Sequence, residues 1–324
     1  MKKEYFTKKD TQILKGAMAL LILAHHIYQR MPMPEGTITD YVFRSLGYLC
    51  VAVFFFISGY GITLSNKQSE MSGRSYMSSF LRSRVLSLYV CYILLILLYA
   101  FVLYIFDVPI PENQLIISFL IGGTIVGGGW YIQTLLLFYL IWWISKMIFG
   151  QKAWIMVFFC VTIFSVITLV LNLGSHWSLS NYAFVFGMIL ADYKLQVDRL
   201  LEKSSGYLWL VFFIMLLSYV ACFYFEGFNR VLFFLKLLMS FLFPACFFVF
   251  SYFKELKGVI LEMCGIYSLE IFVLQGIVFT ILRNNYWEVD SWLFILLSIL
   301  GTVLLSLIFH PLFTRIMTVL KENK

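Results

Sequence analysis

Ten apolar runs, most of them near twenty residues long, follow one another along this chain, and no other feature restricts its fold as tightly. A run of that length, coiled as an α-helix, matches the hydrocarbon thickness of a bilayer. The runs cover residues 12–31, 41–65, 85–106, 130–149, 153–173, 178–193, 207–225, 231–253, 258–282 and 292–318. Trp130, Trp154, Trp177, Trp209, Trp287 and Trp292 fall near their ends, where amphipathic rings favour the headgroup layer. Between the runs no polar stretch is long enough to build a second, water-soluble core. Of the 324 residues 61% are apolar and only 13% charged, far from the soluble-domain average. The reading is all-α: a polytopic integral membrane protein of about ten transmembrane helices, with residues 1–324 forming one domain and no separate soluble domain.

Charge sets the orientation. The formal charge of +7 is dispersed over short segments between the runs and not gathered on one element, so it argues for topology and against nucleic acid. With ten spans both termini share a side, and of the 24 lysines and arginines nineteen fall on that side. Only Arg30, Arg44, Arg230 and Arg283 fall on the other, and Lys236 lies within a span. The positive-inside rule then predicts a multi-pass protein of the cell membrane with both termini cytoplasmic. The opening MKKEYFTKKD and its apolar run have the outline of a signal peptide. Lys15, His25 and His26 interrupt that run, and no small-residue cleavage site follows, so it reads as the first span. The six cysteines fall in six different runs with no CxxC pair, as small apolar side chains would. The glycines of Gly122 to Gly129 mark an outer loop or short re-entrant turn, with acceptor access as the alternative.

Ionisable groups inside a span usually face a cavity or a partner. At about 100° per residue, Lys15 and His26 lie within roughly 20° of each other on one helix face and roughly 16 Å apart along it, whereas His25 is turned away by about 80°. Lys15 is close enough to the cytoplasmic end to snorkel as an anchor or to meet a ligand. His26 is either a satisfied structural histidine or a neutral base able to take a proton from a hydroxyl. Arg82 and Arg84, with Tyr89, open the third span. Their i, i+2 spacing suits flanking a phosphate-bearing ligand, and positive-inside anchoring is the plain alternative. Ser58, Gly59 and Tyr60 stand at the cytoplasmic end of the second span, where glycine lets a ligand or helix approach closely. In the ninth span Glu270 needs a partner, and Lys236 is the counter-ion the sequence offers; Gln275 follows it. His176 and His310 read as incidental. No metal site is expected: HExxH is absent, as are a GxSxG elbow and a Walker loop.

Taken in order, these residues resemble the acyltransferase type 3 family over essentially the whole chain. The family's basic residue, glycine and a histidine eleven positions after the basic residue are matched by Lys15, Gly16 and His26, with lysine in place of the more usual arginine. Its Ser-Gly-aromatic motif is similar to Ser58-Gly59-Tyr60, and its Arg-x-Arg motif to Arg82-Ser83-Arg84 followed by Tyr89. Its Trp-aromatic pair looks like Trp130-Tyr131, and its ninth-span pattern like Gly265, Ser268, Leu269 and Phe272. Gln275 stands where many members have histidine, and the hydrolase-like domain some members carry after the spans is not expected here. The resemblance implies transfer of an acyl group, commonly acetyl, from acyl-CoA on the cytoplasmic side to a hydroxyl of an envelope glycan or other small acceptor. It implies O-acetylation with acetyl-CoA as a donor substrate and not a permanently bound cofactor, Lys15, Arg82, Arg84, Ser58, Gly59 and Tyr60 on the donor, and His26 as general base. His25, Tyr89, Trp130, Tyr131, Glu270 and Gln275 are further candidates. The rival from another class is a transporter or flippase for a lipid or sugar.

Overall fold

The computed structural model describes residues 4–31, 34–71, 76–120, 125–225, 229–284 and 291–322. Among them every long element is a helix, and there is no strand. The chain runs through α1 (Lys8–Tyr28), α2 (Ile38–Met71), α3 (Tyr76–Phe80), a π-helical turn (Leu81–Leu86) and α4 (Ser87–Ile105). It continues through α5 (Glu112–Leu120), α6 (Gly129–Phe149), α7 (Ala153–Val170), α8 (Tyr182–Asp192), α9 (Lys194–Lys203) and α10 (Gly206–Tyr224). It closes with α11 (Asn229–Phe253), α12 (Val259–Ile266), α13 (Ser268–Asn284) and α14 (Ser291–Glu322).

Each of the ten apolar runs contains a helix, but not every helix meets the demands of a span. Among the described residues six helical stretches are long and apolar enough, or seven if α12 and α13, bent by 72° where they meet, count as one. Residues Gly129–Val170, holding two of the expected spans, form one such stretch. By length and composition the described residues therefore do not confirm a count of about ten, for physical reasons. Gln12, Lys15, His25 and His26 dilute the apolar run of α1, and the eleven residues of α8 extend only about 16 Å. Gly122, Gly123 and Trp287 lie outside the described residues.

Helix α1 begins earlier than its apolar run. Thr7 caps it: its hydroxyl accepts the Asp10 N–H at 3.3 Å, while the Asp10 carboxylate accepts the Thr7 N–H at 2.8 Å, a reciprocal capping box. Ahead of the cap, Tyr5 donates to Asp198 Oδ1 at 2.6 Å, and Phe6 is buried edge-on to Phe56 and Tyr60. The start of α1 is thus sewn to the late part of α2 and to α9.

Helices in lipid gain no hydrophobic drive from meeting, so close backbone approach has to supply the contact, and small residues permit it. A Cβ on Gly16 would overlap the Leu261 carbonyl oxygen, and one on Gly265 the carbonyl of Gln12. These two glycines let α1 and α12 cross at backbone distance. Gly59 and Gly187 do the same for α2 and α8, meeting the carbonyls of Phe184 and Phe56. Lys67 fastens this second pair: its ammonium donates to the Ala191 and Asp192 carbonyls at 3.1 and 2.9 Å and pairs with the Asp192 carboxylate at 3.0 Å. It thereby satisfies carbonyls that the end of α8 leaves open.

Candidate functional site

Two cavities open along the shared face of α1. The first, about 430 Å³, has His26 on its wall together with His25, Tyr48, Trp130, His176 and Lys236. The second, about 200 Å³, is walled by Lys15, Ser58, Arg84, Tyr131 and Tyr139. Phe272 lines both. Its ring lies 5.2 Å from that of Tyr131 and 6.2 Å from that of Phe54, so an aromatic wall stands between the Lys15 and His26 ends.

The adjacent histidines are held differently. His25 is buried, and its Nδ1 lies 2.6 Å from the Phe43 carbonyl, a bond that requires a proton on that nitrogen. Its ring rests against Gly47, where a Cβ would come within 2.6 Å of Nε2. His25 thus docks α1 onto α2. His26, less buried, faces Gln275 of α13. The Gln275 amide donates to the Phe272 carbonyl at 2.7 Å, which leaves its buried Oε1 turned to His26, within hydrogen-bonding reach of the imidazole. That oxygen is an acceptor waiting for an N–H.

Around Lys15 the chemistry is cationic. Lys15 lies within electrostatic reach of Arg84, and Arg84 stands beside Tyr76 and Tyr139. The π-helical turn presents Arg84. Five residues span its ring, which the Ser87 backbone N–H closes by donating to the Arg82 carbonyl, and the Ser87 hydroxyl donates to the same carbonyl at 3.0 Å. Both arginines are exposed, but only Arg84 lines the cavity and Arg82 is off its wall, the split that an i, i+2 pair on a helix produces. Ser58 sits within reach of the Tyr131 and Tyr139 hydroxyls. Its neighbours turn elsewhere: Gly59 serves the α2–α8 crossing, and Tyr60 is buried against Phe6, Phe56 and Phe248. Tyr89 lines a separate apolar groove with Phe119 and Leu137. Trp130 and Tyr131 divide between the two cavities.

Three readings of single residues change. Glu270 is buried and bonded to His310 Nδ1 at 2.7 Å, so Lys236 is not its counter-ion. Glu270 faces α14, whereas Lys236 of α11 lines the His26 cavity. His310 is therefore not incidental, and its other nitrogen meets the Thr314 hydroxyl at 3.2 Å. His176 is not incidental either: it lines the His26 cavity, ring to ring with Trp130 at 5.0 Å. Burial there holds its pKa below the usual histidine value, so it is neutral near pH 7. The signal for His310 was available, since an imidazole in an apolar helix needs a partner as much as Glu270 does. Among the described residues no three histidine, cysteine or carboxylate side chains gather as a metal site.

A helical membrane protein with a cationic cavity and an imidazole cavity separated by one aromatic wall is the class these features define. A family model described as an acyltransferase domain matches residues 10–310, and the chain belongs to that acyltransferase type 3 family. Comparison with curated proteins found no match, and comparison with solved structures found none. Membership supports acyltransferase activity in a multi-pass membrane protein and does not favour the transporter or flippase.

Proposed function

We propose that the chain moves an acetyl group from acetyl-CoA to a hydroxyl of a cell-envelope sugar, polysaccharide or related acceptor, with His26 as general base. The observation that carries this reading is the shared wall: Phe272 has His26 on one side and Lys15 with Arg84 on the other. On the positive-inside reading the Lys15 end faces the cytoplasm of a cell-membrane protein whose termini are both cytoplasmic. Coenzyme A phosphates would meet Lys15 and Arg84, with Arg82 at the mouth, and the pantetheine arm would run past Ser58 toward Phe272. The acceptor would come from the His26 cavity.

The imidazole of His26 takes the acceptor hydroxyl proton as the oxygen attacks the thioester carbonyl carbon. A new C–O bond forms, the tetrahedral intermediate collapses, the C–S bond breaks, and the imidazolium returns its proton to the departing thiolate. No covalent acyl-enzyme is required. Gln275 Oε1 would accept the second N–H of the imidazolium and hold the ring toward the wall. Radiolabelled acetyl-CoA given to the purified chain with envelope extract tests this. The expected outcome is labelled ester from the native chain, and intact coenzyme A binding with no ester from the His26→Ala variant; normal ester formation by that variant refutes the assignment.

A further inference from the structure

Lys236 is a cation that the transfer chemistry does not use. It stands inside the apolar stretch Arg230–Phe253 and on the wall of the His26 cavity. Among the described residues it has neither an ion-pair nor a hydrogen-bond partner, and its electrostatic neighbour is the Cys222 thiol. A charge in that setting is unfavourable unless something answers it. The neighbouring groups do not. Glu270 is committed to His310, and no Asp or Glu among the described residues lines the cavity. Arg44, on the same wall, already has its carboxylate, Asp40 at 3.0 Å. Tyr48, another residue of that wall and likewise beside Cys222, keeps a buried hydroxyl with no hydrogen-bond partner. An unanswered ammonium and an unused hydroxyl donor therefore both stand near the Cys222 thiol, on the wall of the cavity that also holds His26.

We propose that the acceptor drawn into this cavity carries an anionic group, a phosphate or a carboxylate, which Lys236 binds with help from the Tyr48 hydroxyl while a hydroxyl of the same molecule is presented to His26. The proposal rests on the acyl-transfer reading and adds the class of acceptor to it. Lys236 would fix the acceptor by its charge and His26 would act on a hydroxyl elsewhere on it, so the two residues divide binding from chemistry. The competing account, a lysine that merely snorkels to the headgroup layer, predicts no ligand selectivity.

The test uses the full chain in zwitterionic nanodiscs and three probes, glucose 1-phosphate, glucuronate and glucose, with affinity read by equilibrium binding. At least one of the two anions is expected to bind about tenfold or more tighter than glucose, as a charge-assisted contact would give. Lys236→Met should remove that preference, Lys236→Arg should retain it, and Lys257→Met, at an exposed site paired with Glu255, should leave it unchanged. A preference for the phosphate identifies a phosphorylated acceptor, and one for the glucuronate an acidic sugar. Glucose binding as tightly as both anions, no binding by either anion, or an anion preference that survives in Lys236→Met overturns the proposal. His26→Ala separates the two readings, since it should keep anion binding while losing transfer. Anion binding that depends on Lys236 in a native chain unable to transfer acetyl would overturn acyl transfer alone.

Discussion

His25 and His26 are neighbours with unlike duties. The first is committed to the Phe43 carbonyl and packed on Gly47, and the second is left to the cavity and to Gln275. His25→Ala should therefore lower stability by about 1–3 kcal/mol, the penalty for a lost buried partner, with residual turnover in the molecules that fold; thermal unfolding in detergent beside a transfer assay checks this. Gln275→Ala is expected to lower kcat with little change in KM for acetyl-CoA, because Gln275 acts through His26, and Gln275→Glu should restore an acceptor oxygen and part of the rate. A KM effect alone would make Gln275 a packing residue. At the other end, Arg84→Ala should raise KM for acetyl-CoA by about tenfold, the size of one charged contact to phosphate, and Arg82→Ala by less, since Arg82 is off the wall. Equal effects would mean that the donor lies outside the Lys15 cavity. Helical phase alone separated Lys15 and His26 from His25, because rotation per residue is a property of the backbone. That Glu270 pairs with His310 while Lys236 faces the His26 cavity was not legible, since both depend on which faces of α11, α13 and α14 meet.

At the scale of elements, glycine decides how α1 approaches α12. Gly16→Val should push the helices apart at the Leu261 carbonyl and cost about 1–3 kcal/mol, as overpacking does, and it should also misplace Lys15 next to it. Unchanged thermal stability would show that the crossing tolerates a side chain. The same sequence positions read as a motif, Lys15-Gly16 and Gly265, so the motif glycines are explained by packing and the lysine by the cavity. Where helices lie was readable from apolar runs. Their starts and their capacity to span were less so: Thr7 and Asp10 carry α1 back to Lys8, and the bend between α12 and α13 breaks a stretch that hydropathy alone reads as continuous. The π-helical turn at Arg82 and Arg84 has no signature in hydropathy at all. It is a ring-size choice made where the Ser87 backbone N–H meets the Arg82 carbonyl, with the Ser87 hydroxyl as a second donor to it.

In the whole molecule, on the proposed function, two substrates meet across one wall. Phe272→Ala should join the cavities, let water reach the thioester, and raise acetyl-CoA hydrolysis at the expense of transfer; unchanged partition between hydrolysis and transfer would deny Phe272 that place. The family was legible in the sequence because its motifs run in order along the chain, and the match over residues 10–310 agrees. The wall was not legible, since Phe54, Tyr131 and Phe272 come from α2, α6 and α13 and meet only in the folded chain. The most direct measurement is single-turnover acetyl transfer by the His26→Ala protein with coenzyme A binding followed in the same sample. Native coenzyme A affinity and a transfer rate lower by about a hundredfold or more are expected, the range for removal of a general base. Transfer at the native rate would contradict His26 as that base.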